Sequence, residues 1–367
     1  MPTSIRELDP GDADLVREFN ARLAQAGITF AFPVDVEGLM QREPGIEAPY
    51  QTAYVLSDGS AVRGGYILKD ERMFVGAQCL SAANYQLPLS EGIIDRKYAI
   101  VGVQLIRDAL ARQTRLYCLG MGSTARPLPR LLSRLGWTVS KVPFLFRIEN
   151  AGNFAREARW LQQREALRYA LNLARISRIL AASIALARLS RRVLGVRVPA
   201  DVSVSEEPGL PEAIDGLFAR VRGDYGLLSD RRAAAMGKKL PSQDPRLTRL
   251  ILRRRGELAG WVVVSVSRLS NHTQFGSMTL GCIVDGLAAP ADVAVLLAAA
   301  LRRLAAANCD LLVSNQSHPA WTAALRRHGF FRGPSNFVLA LSPELAAHSA
   351  ANLMHFTRAD GDGPINL

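Results

Sequence analysis

The sequence predicts an α+β protein of two similar domains, each a mixed, mostly antiparallel sheet flanked by helices, joined by a long basic helical segment. Three observations lead there. A passage occurs twice, at Leu116–Trp137 and at Leu311–Phe330: a short apolar strand, a polar loop, one short helix, then a Gly-aromatic pair leading into another strand. Without a gap, Leu132 aligns with Leu325, Arg134 with Arg327, Gly136 with Gly329 and Phe144 with Phe337. The length of 367 residues exceeds what one hydrophobic core usually serves, and an apolar share of 49% supplies two. Strand patterns also come in runs with few helices between them, which favours α+β over alternating βαβ units.

Taken in order, residues 4–8 read as a first strand. Asp12 or Asp14 is placed to cap a helix over 15–26, where Leu15, Val16, Phe19 and Leu23 follow a helical period. Residues 50–57 and 63–69 read as two strands joined by a turn at Asp58-Gly59, followed by strands at 73–81 and 84–90. A connection over 91–97 leads to a helix at 98–111. The repeated unit comes next, and a strand at 139–148 is expected to close the first domain. Residues 153–194 contain no Pro or Gly, and their apolar and Arg positions recur at helical spacing. They read as one long helix or a helical hairpin. The second half offers a helix at 211–221, strands at 247–253, 258–267 and 276–284, and a helix at 292–307 preceded by Pro290. The second copy of the repeat then ends in a strand at 336–342. The expected division is residues 1–150, a linker at 151–200, a second domain at 201–345 and a tail at 346–367; its end, 358–367, is polar and turn-forming and is expected to fray, a tail folded back into a cleft being the alternative.

The formal charge is +12, and residues 151–200 alone hold ten Arg and two Glu, or 10 − 2 = +8. That segment is open to three readings: a structural brace, a helix lying on an anionic membrane surface, or a nucleic-acid contact. The last lacks interleaved aromatics. Cys79, Cys118, Cys282 and Cys309 form no C-x-x-C pair, and the five His do not cluster with them, so reduced thiols and no metal are expected. The start of the chain has no apolar signal region, and no run reaches the ~18 apolar residues of a membrane span, so a cytoplasmic protein is expected.

The order of elements and the repeated Gly136-Trp137 and Gly329-Phe330 endings resemble the GNAT (Gcn5-related) N-acyltransferase fold, in tandem. Two such units in one chain also resemble the Fem-type aminoacyltransferases. The resemblance covers residues 4–148 and 202–342. It implies an acyl-CoA co-substrate whose pyrophosphate lies on the backbone N–H groups at the start of the central helix, where the helix dipole favours an anion. The matching turn is 99–104. It keeps Gly102, with Ala99 and Gln104 at the flanking motif positions. The matching stretch of the second half, 285–292, carries acids and a proline and no such turn. The first half is therefore the expected catalytic one, and the second a degenerate copy.

The candidate residues come from that placement. Glu91, just after the fourth strand, is a candidate general base, and Tyr98, opening the central helix, a candidate acid. Ile93, Ile94, Val101, Gly102, Val103 and Gln104 are the expected acyl-CoA contacts. Arg63, Asn84, Gly120, Met121 and Ser123 are the expected substrate contacts. In the second half His318 reads as a helix-start residue. The implied function is transfer of an acyl group from acyl-CoA to an amine: an amino sugar, an amino acid or a cell-envelope precursor. The alternatives are Fem-type aminoacyl transfer from charged tRNA, and a non-catalytic scaffold or sensor.

Overall fold

The structure, a computed structural model, describes residues 4–157, 198–272, 275–349 and 353–361. In chain order its main elements are β1 (Ser4–Glu7), α1 (Ala13–Gln25), β2 (Tyr50–Ser57), β3 (Val62–Val75), β4 (Gln78–Ser90), α2 (Val101–Arg112), β5 (Leu116–Leu119), α3 (Pro127–Arg134), β6 (Thr138–Lys141), β7 (Phe144–Ile148), α4 (Ala151–Glu157) and β8 (Val202–Glu207). Then come α5 (Ile214–Val221), β9 (Leu227–Ser229), α6 (Ala233–Lys239), β10 (Leu247–Arg254), β11 (Glu257–Arg268), β12 (Thr279–Ala288) and α7 (Val293–Ala306). The last are β13 (Leu311–Asn315), α8 (Pro319–Arg327), β14 (Phe331–Gly333), β15 (Val338–Leu341), α9 (Pro343–Ala346) and β16 (Met354–His355).

The chain forms two compact units. The first comprises residues 1–141, 227–230 and 338–351, and the second 142–226, 231–337 and 352–367. The first unit's sheet runs β1-β2-β3-β4-β5-β15-β6, with β9 on the far end of β3. The second runs β14-β7-β13-β12-β11-β10-β8. In each sheet the fourth and fifth strands pair in parallel, β4 with β5 and β12 with β13. The central helix α2 covers one face of the first sheet, over Tyr54, Tyr66, Leu68, Tyr85 and Leu116. Helix α1 and residues 28–39 cover part of the other, over Ala53, Val55 and Ile67. The three tyrosines contact in sequence, Tyr54 stacked on Tyr66 and Tyr66 tilted against Tyr85, with ring centroids 5.1 and 5.2 Å apart.

The repeated passage keeps its geometry. Gly136 and Gly329 both sit at φ +81°, the left-handed stop that glycine adopts without strain after a helix. Leu132 and Leu325 are fully buried ahead of them, and Trp137 and Phe330 are buried after them.

Several expectations are corrected. The run at 139–148 is two strands, because Val142-Pro143 interrupts it and proline has no N–H for the ladder. Only the first, β6, lies in the first unit. β7 pairs with β13 and β14 in the second unit's sheet, and β15, expected to close the second domain, lies between β5 and β6 in the first. The strands expected at 63–69, 73–81 and 84–90 are two long strands joined at Gly76, whose φ is +57°. The tail is not frayed at 354–360, where every residue is buried. Cys79 is exposed while the other three thiols are buried. Beyond Glu157 the Arg-rich segment, with its brace, membrane and nucleic-acid readings, lies outside the described residues. Among the described residues no helix is long and apolar enough to cross a membrane.

Candidate active site

The first unit's fourth strand is bulged. Gln86 faces Ile67 and Leu89 faces Gly65, so Leu87 and Pro88 together oppose Tyr66. Leu87 takes φ +45°, an unusual value for a residue with a branched side chain. A bulge bends its strand and re-aims the residues beyond it. β4 pairs with β5 at two positions only, Ala83 with Leu116 and Asn84 with Tyr117. β5 then pairs with β15 on its other side, and among the described residues nothing pairs with the diverging sides of β4 and β5. The result is a gap between two adjacent strands of one sheet.

The turn from β4 into α2 closes one side of this gap. Ser90 and Asp95 each cap a short helical turn, accepting from Gly92 N at 3.1 Å and from Lys97 N at 2.9 Å. Gly92 is required by close approach, since a Cβ there would lie 2.5 Å from the Tyr98 carbonyl oxygen. α2 itself starts without a side-chain cap and without an acid in its first turn. Val101 is buried, and a Cβ on Gly102 would meet nothing within 4 Å. Ile93 and Ile100 are about half exposed, at 49% and 57%, while Ile94, Val103 and Gln104 are half-buried. An uncapped helix start with open space at its glycine fits an anionic group such as a pyrophosphate. Across the gap, Gly120 and Gly122 hold φ +88° and +79°, Met121 packs on the core, and Ser123 is exposed and accepts from Ala125 N.

Glu91, Arg63 and Tyr98 come together. The buried Glu91 carboxylate accepts from Arg22 Nε at 2.5 Å on one oxygen and from Arg63 Nη1 at 2.9 Å on the other. Arg63 also donates to Asp58 at 2.7 Å and lies 4.5 Å from the centroid of the Tyr98 ring. The hydrogen bond from Arg63, backed by Ser60 and Ala61, holds the Asp58 carboxyl well below the usual carboxylate range. Both Glu91 oxygens are therefore engaged by arginines, one from α1 and one from β3.

Asn84 belongs to a different group, of which the sequence showed only that member. On the face of the sheet opposite α2, Gln51, Lys69, Asn84 and Tyr117 stand in register across β2, β3, β4 and β5, with Glu71 and Gln86 one step along. Lys69, Glu71, Asn84, Gln86 and Tyr117 are all buried. Tyr117 donates to Glu71, Lys69 Nζ stands 3.9 Å from the same carboxylate oxygen, and Gln51 Nε2 donates to Gln86 Oε1 at 2.7 Å. Burying polar groups is unfavourable unless they are paired, and lysine and glutamate are seldom fully buried. Five on one sheet face beside a strand gap make this face a candidate binding surface. The run Lys69-Asp-Glu-Arg72 reads in sequence as a break between strands, which hid it.

A cavity of about 530 Å³ lies beside Glu71, lined among others by Arg42, Tyr50, Asp70, Cys79 and Ser81, of which Tyr50 and Asp70 are in register with Ala83 rather than with the polar row. Burial pushes the Asp70 carboxyl up to about 6, against the pull of Arg42. Among the described residues no group of three or more His, Cys, Asp or Glu is placed to hold a metal ion.

The second unit repeats the bulge, at Val284, since Val263 faces Asp285 and Val264 faces Ile283. Its helix start differs. Asp292 occupies the N-cap of α7 and is held by Arg254 at 2.6 Å, so a carboxylate already stands where the first unit is open. His318 is the N-cap of α8, accepting from Ala320 N at 3.3 Å.

No family model and no curated protein sequence matches the chain. Solved structures do. A GCN5-related N-acetyltransferase from Anabaena variabilis ATCC 29413 is 12% identical at a TM-score of 0.55, covering 99% of this chain and 86% of that one. A probable N-acyltransferase from Enterococcus faecalis V583 is 9% identical at 0.52, covering 94% and 74%. Saccharomyces cerevisiae N-myristoyltransferase, solved with bound myristoyl-CoA and inhibitors, is 10% identical at 0.51, covering 93% and 80%. At these identities the likeness concerns the fold, and it extends over 93–99% of this chain and so over both units. The chain has the GCN5-related N-acyltransferase fold in tandem.

Proposed function

We propose that the protein is an acyltransferase whose first unit moves an acyl group from acyl-CoA to an amine. The observation that carries this reading is the gap between β4 and β5 opening beside the uncapped start of α2 at Gly102. The backbone N–H groups of Val101 and Gly102 receive the pyrophosphate, ahead of Val103 and Gln104, whose N–H groups donate to the Ile100 carbonyl, with Gly102 allowing close approach. Ile93, Ile100 and Met121 offer apolar surface to the pantetheine and acyl portions.

The acceptor lies on the opposite face, oriented by Asn84, Gln86 and the Lys69–Glu71–Tyr117 group. Its nitrogen attacks the thioester carbonyl directly. A C–N bond forms, the C–S bond breaks, and the thiol leaves with the proton given up by the amine. Holding the two reactants in line supplies much of the rate. Glu91 fixes the turn between β4 and α2 through Arg22 and Arg63, and Tyr98 stacks on the same guanidinium. A polar, hydrogen-bonding acceptor such as an amino sugar, an amino acid or a cell-envelope precursor suits the buried polar row. Isothermal titration with acetyl-CoA and with longer acyl-CoAs tests the reading. One binding event per chain is expected, and absence of heat with every donor, on folded protein, would reject it.

A further inference from the structure

In the second unit the gap corresponding to that between β4 and β5 is filled. β12 and β13 pair over Leu280–Ile283 and Leu311–Ser314 and then part. Residues 353–361 of the same chain bond to both diverging ends. On the β13 side, Ser317 N donates to Phe356 O at 3.1 Å, Phe356 N donates to Ser317 Oγ at 2.7 Å, and that hydroxyl donates to Met354 O at 2.6 Å. Gln316 and Thr357 form an antiparallel bridge. On the β12 side, His355 Nε2 donates to Gly286 O at 3.0 Å, just past the bulge. Burial and the nearby Arg231 charge hold this imidazole neutral.

The segment ends on a charge. Asp360 accepts from Arg231 Nη2 at 2.9 Å and stands 3.3 Å from Lys239 Nζ, all three buried. Arg231 also donates to Asp285 of β12 at 3.1 Å. Main-chain bonds to an open strand end, one aromatic side chain buried in the gap and one carboxylate on a basic pair are how a groove holds an extended peptide.

We propose that the cleft of the second unit is a peptide-binding site whose ligand in this chain is its own segment Leu353–Gly361, anchored by Asp360 on Arg231 and Lys239. The cleft takes an extended peptide carrying an acidic residue four positions after an aromatic one, and it is closed to acyl-CoA while the segment is in place. The inference does not depend on the acyltransferase reading.

The test uses the full chain and its Asp360→Ala variant, with no acyl donor present. Hydrogen exchange of the Phe356 and Ser317 amides is expected to quicken at least about tenfold in the variant, the size of one lost charge-assisted hydrogen bond. A fluorescently labelled synthetic peptide with the sequence of residues 353–361 is then titrated and followed by anisotropy. It is expected to bind the variant and not the wild-type chain, where the tethered segment competes at high effective concentration. Unchanged exchange overturns the proposal. So does faster exchange with no peptide bound, which would make the segment an integral part of the core, and so does equal binding to both proteins. If Asp360→Ala does not fold, Asp360→Asn, which keeps the shape and drops the charge, is read in the same two ways.

Discussion

The two clefts share a frame and differ in what stands in it. Each has a bulged fourth strand parting from a parallel fifth, and each ends in the same helix and left-handed glycine. In the first unit the central helix starts uncapped beside open space, and of the buried charges, Lys69 and Glu71, the second lines a cavity. In the second, Asp292 holds the helix start, and the buried charges, Arg231, Asp285 and Asp360, clamp a segment of the chain across the gap. One frame thus keeps room for a ligand, and its twin puts ion pairs and backbone where that room was.

The largest expected effect is on stability. Arg231→Met leaves Asp285 and Asp360 buried without their shared cation, an uncompensated charge costing about 3–5 kcal/mol. Lys69→Met in the first unit is expected to cost less, because Lys69 Nζ stands 3.9 Å from the Glu71 carboxylate and Tyr117 still donates to it, and to show itself instead as loss of acceptor turnover. Urea unfolding of the pair decides. If the two losses are equal, the polar row of the first unit is as structural as the clamp of the second, and the acceptor-site reading goes with it.

The helix starts offer the next contrast. Gly102→Glu places a carboxylate where the first unit is open, as Asp292 already does in the second. Acyl-CoA affinity is expected to fall about tenfold to a hundredfold, or about 1.4–2.8 kcal/mol, with little change in Tm. Asp292→Ala leaves affinity and stoichiometry unaltered while the second cleft is filled. Titration calorimetry that finds a second site after Asp292→Ala would show the second unit to be latent rather than closed.

Where the units are alike, they should fail alike. Gly136→Ala and Gly329→Ala each force an L side chain to φ +81° and are expected to destabilise by about 1–2 kcal/mol apiece. Thermal unfolding of the two variants checks this, and a marked inequality would mean that the two copies of the passage no longer bear the same strain.

These repeated positions are also where the sequence was most informative. Leu132 and Leu325, the paired glycines and the buried Trp137 and Phe330 are local features, readable from spacing and residue type. The exchange of β7 and β15 was not readable, because strand propensity says nothing of which sheet a strand joins once Val142-Pro143 has broken the run. The polar row escaped for a related reason. Lys69 and Glu71 look like solvent-facing charges until β3 is known to be fourteen residues long and buried through them. Arg63, Glu91 and Tyr98 were found from their places along the chain, whereas the ion pair from Arg22, 69 residues away in sequence, needed the fold. The anchor on Asp360 was hidden in the same way, since its partners Arg231 and Lys239 precede it by 129 and 121 residues.

The smallest effect separates three acids by their company. Asp285 and Asp360 face Arg231, whereas Asp70 lies beside the cavity with its carboxyl pushed up to about 6 by burial. A carboxyl whose folded pKa exceeds its unfolded value of 3.8 binds its proton more tightly in the native state. Its contribution is most favourable below about pH 4, declines as pH rises toward 6, and is a constant penalty above that. Asp70→Asn removes the ionisation and should therefore stabilise the protein at pH 7–8, by about 1 kcal/mol once solvent reaching the cavity is allowed for. The gain should vanish near pH 4. Urea midpoints of wild type and variant across pH 4–8 measure the difference. A gain that persists unchanged at pH 4 would assign it to packing, and a loss at pH 7 would mean that the Asp70 carboxylate is held by Arg42 as firmly as the second unit's acids are held by Arg231.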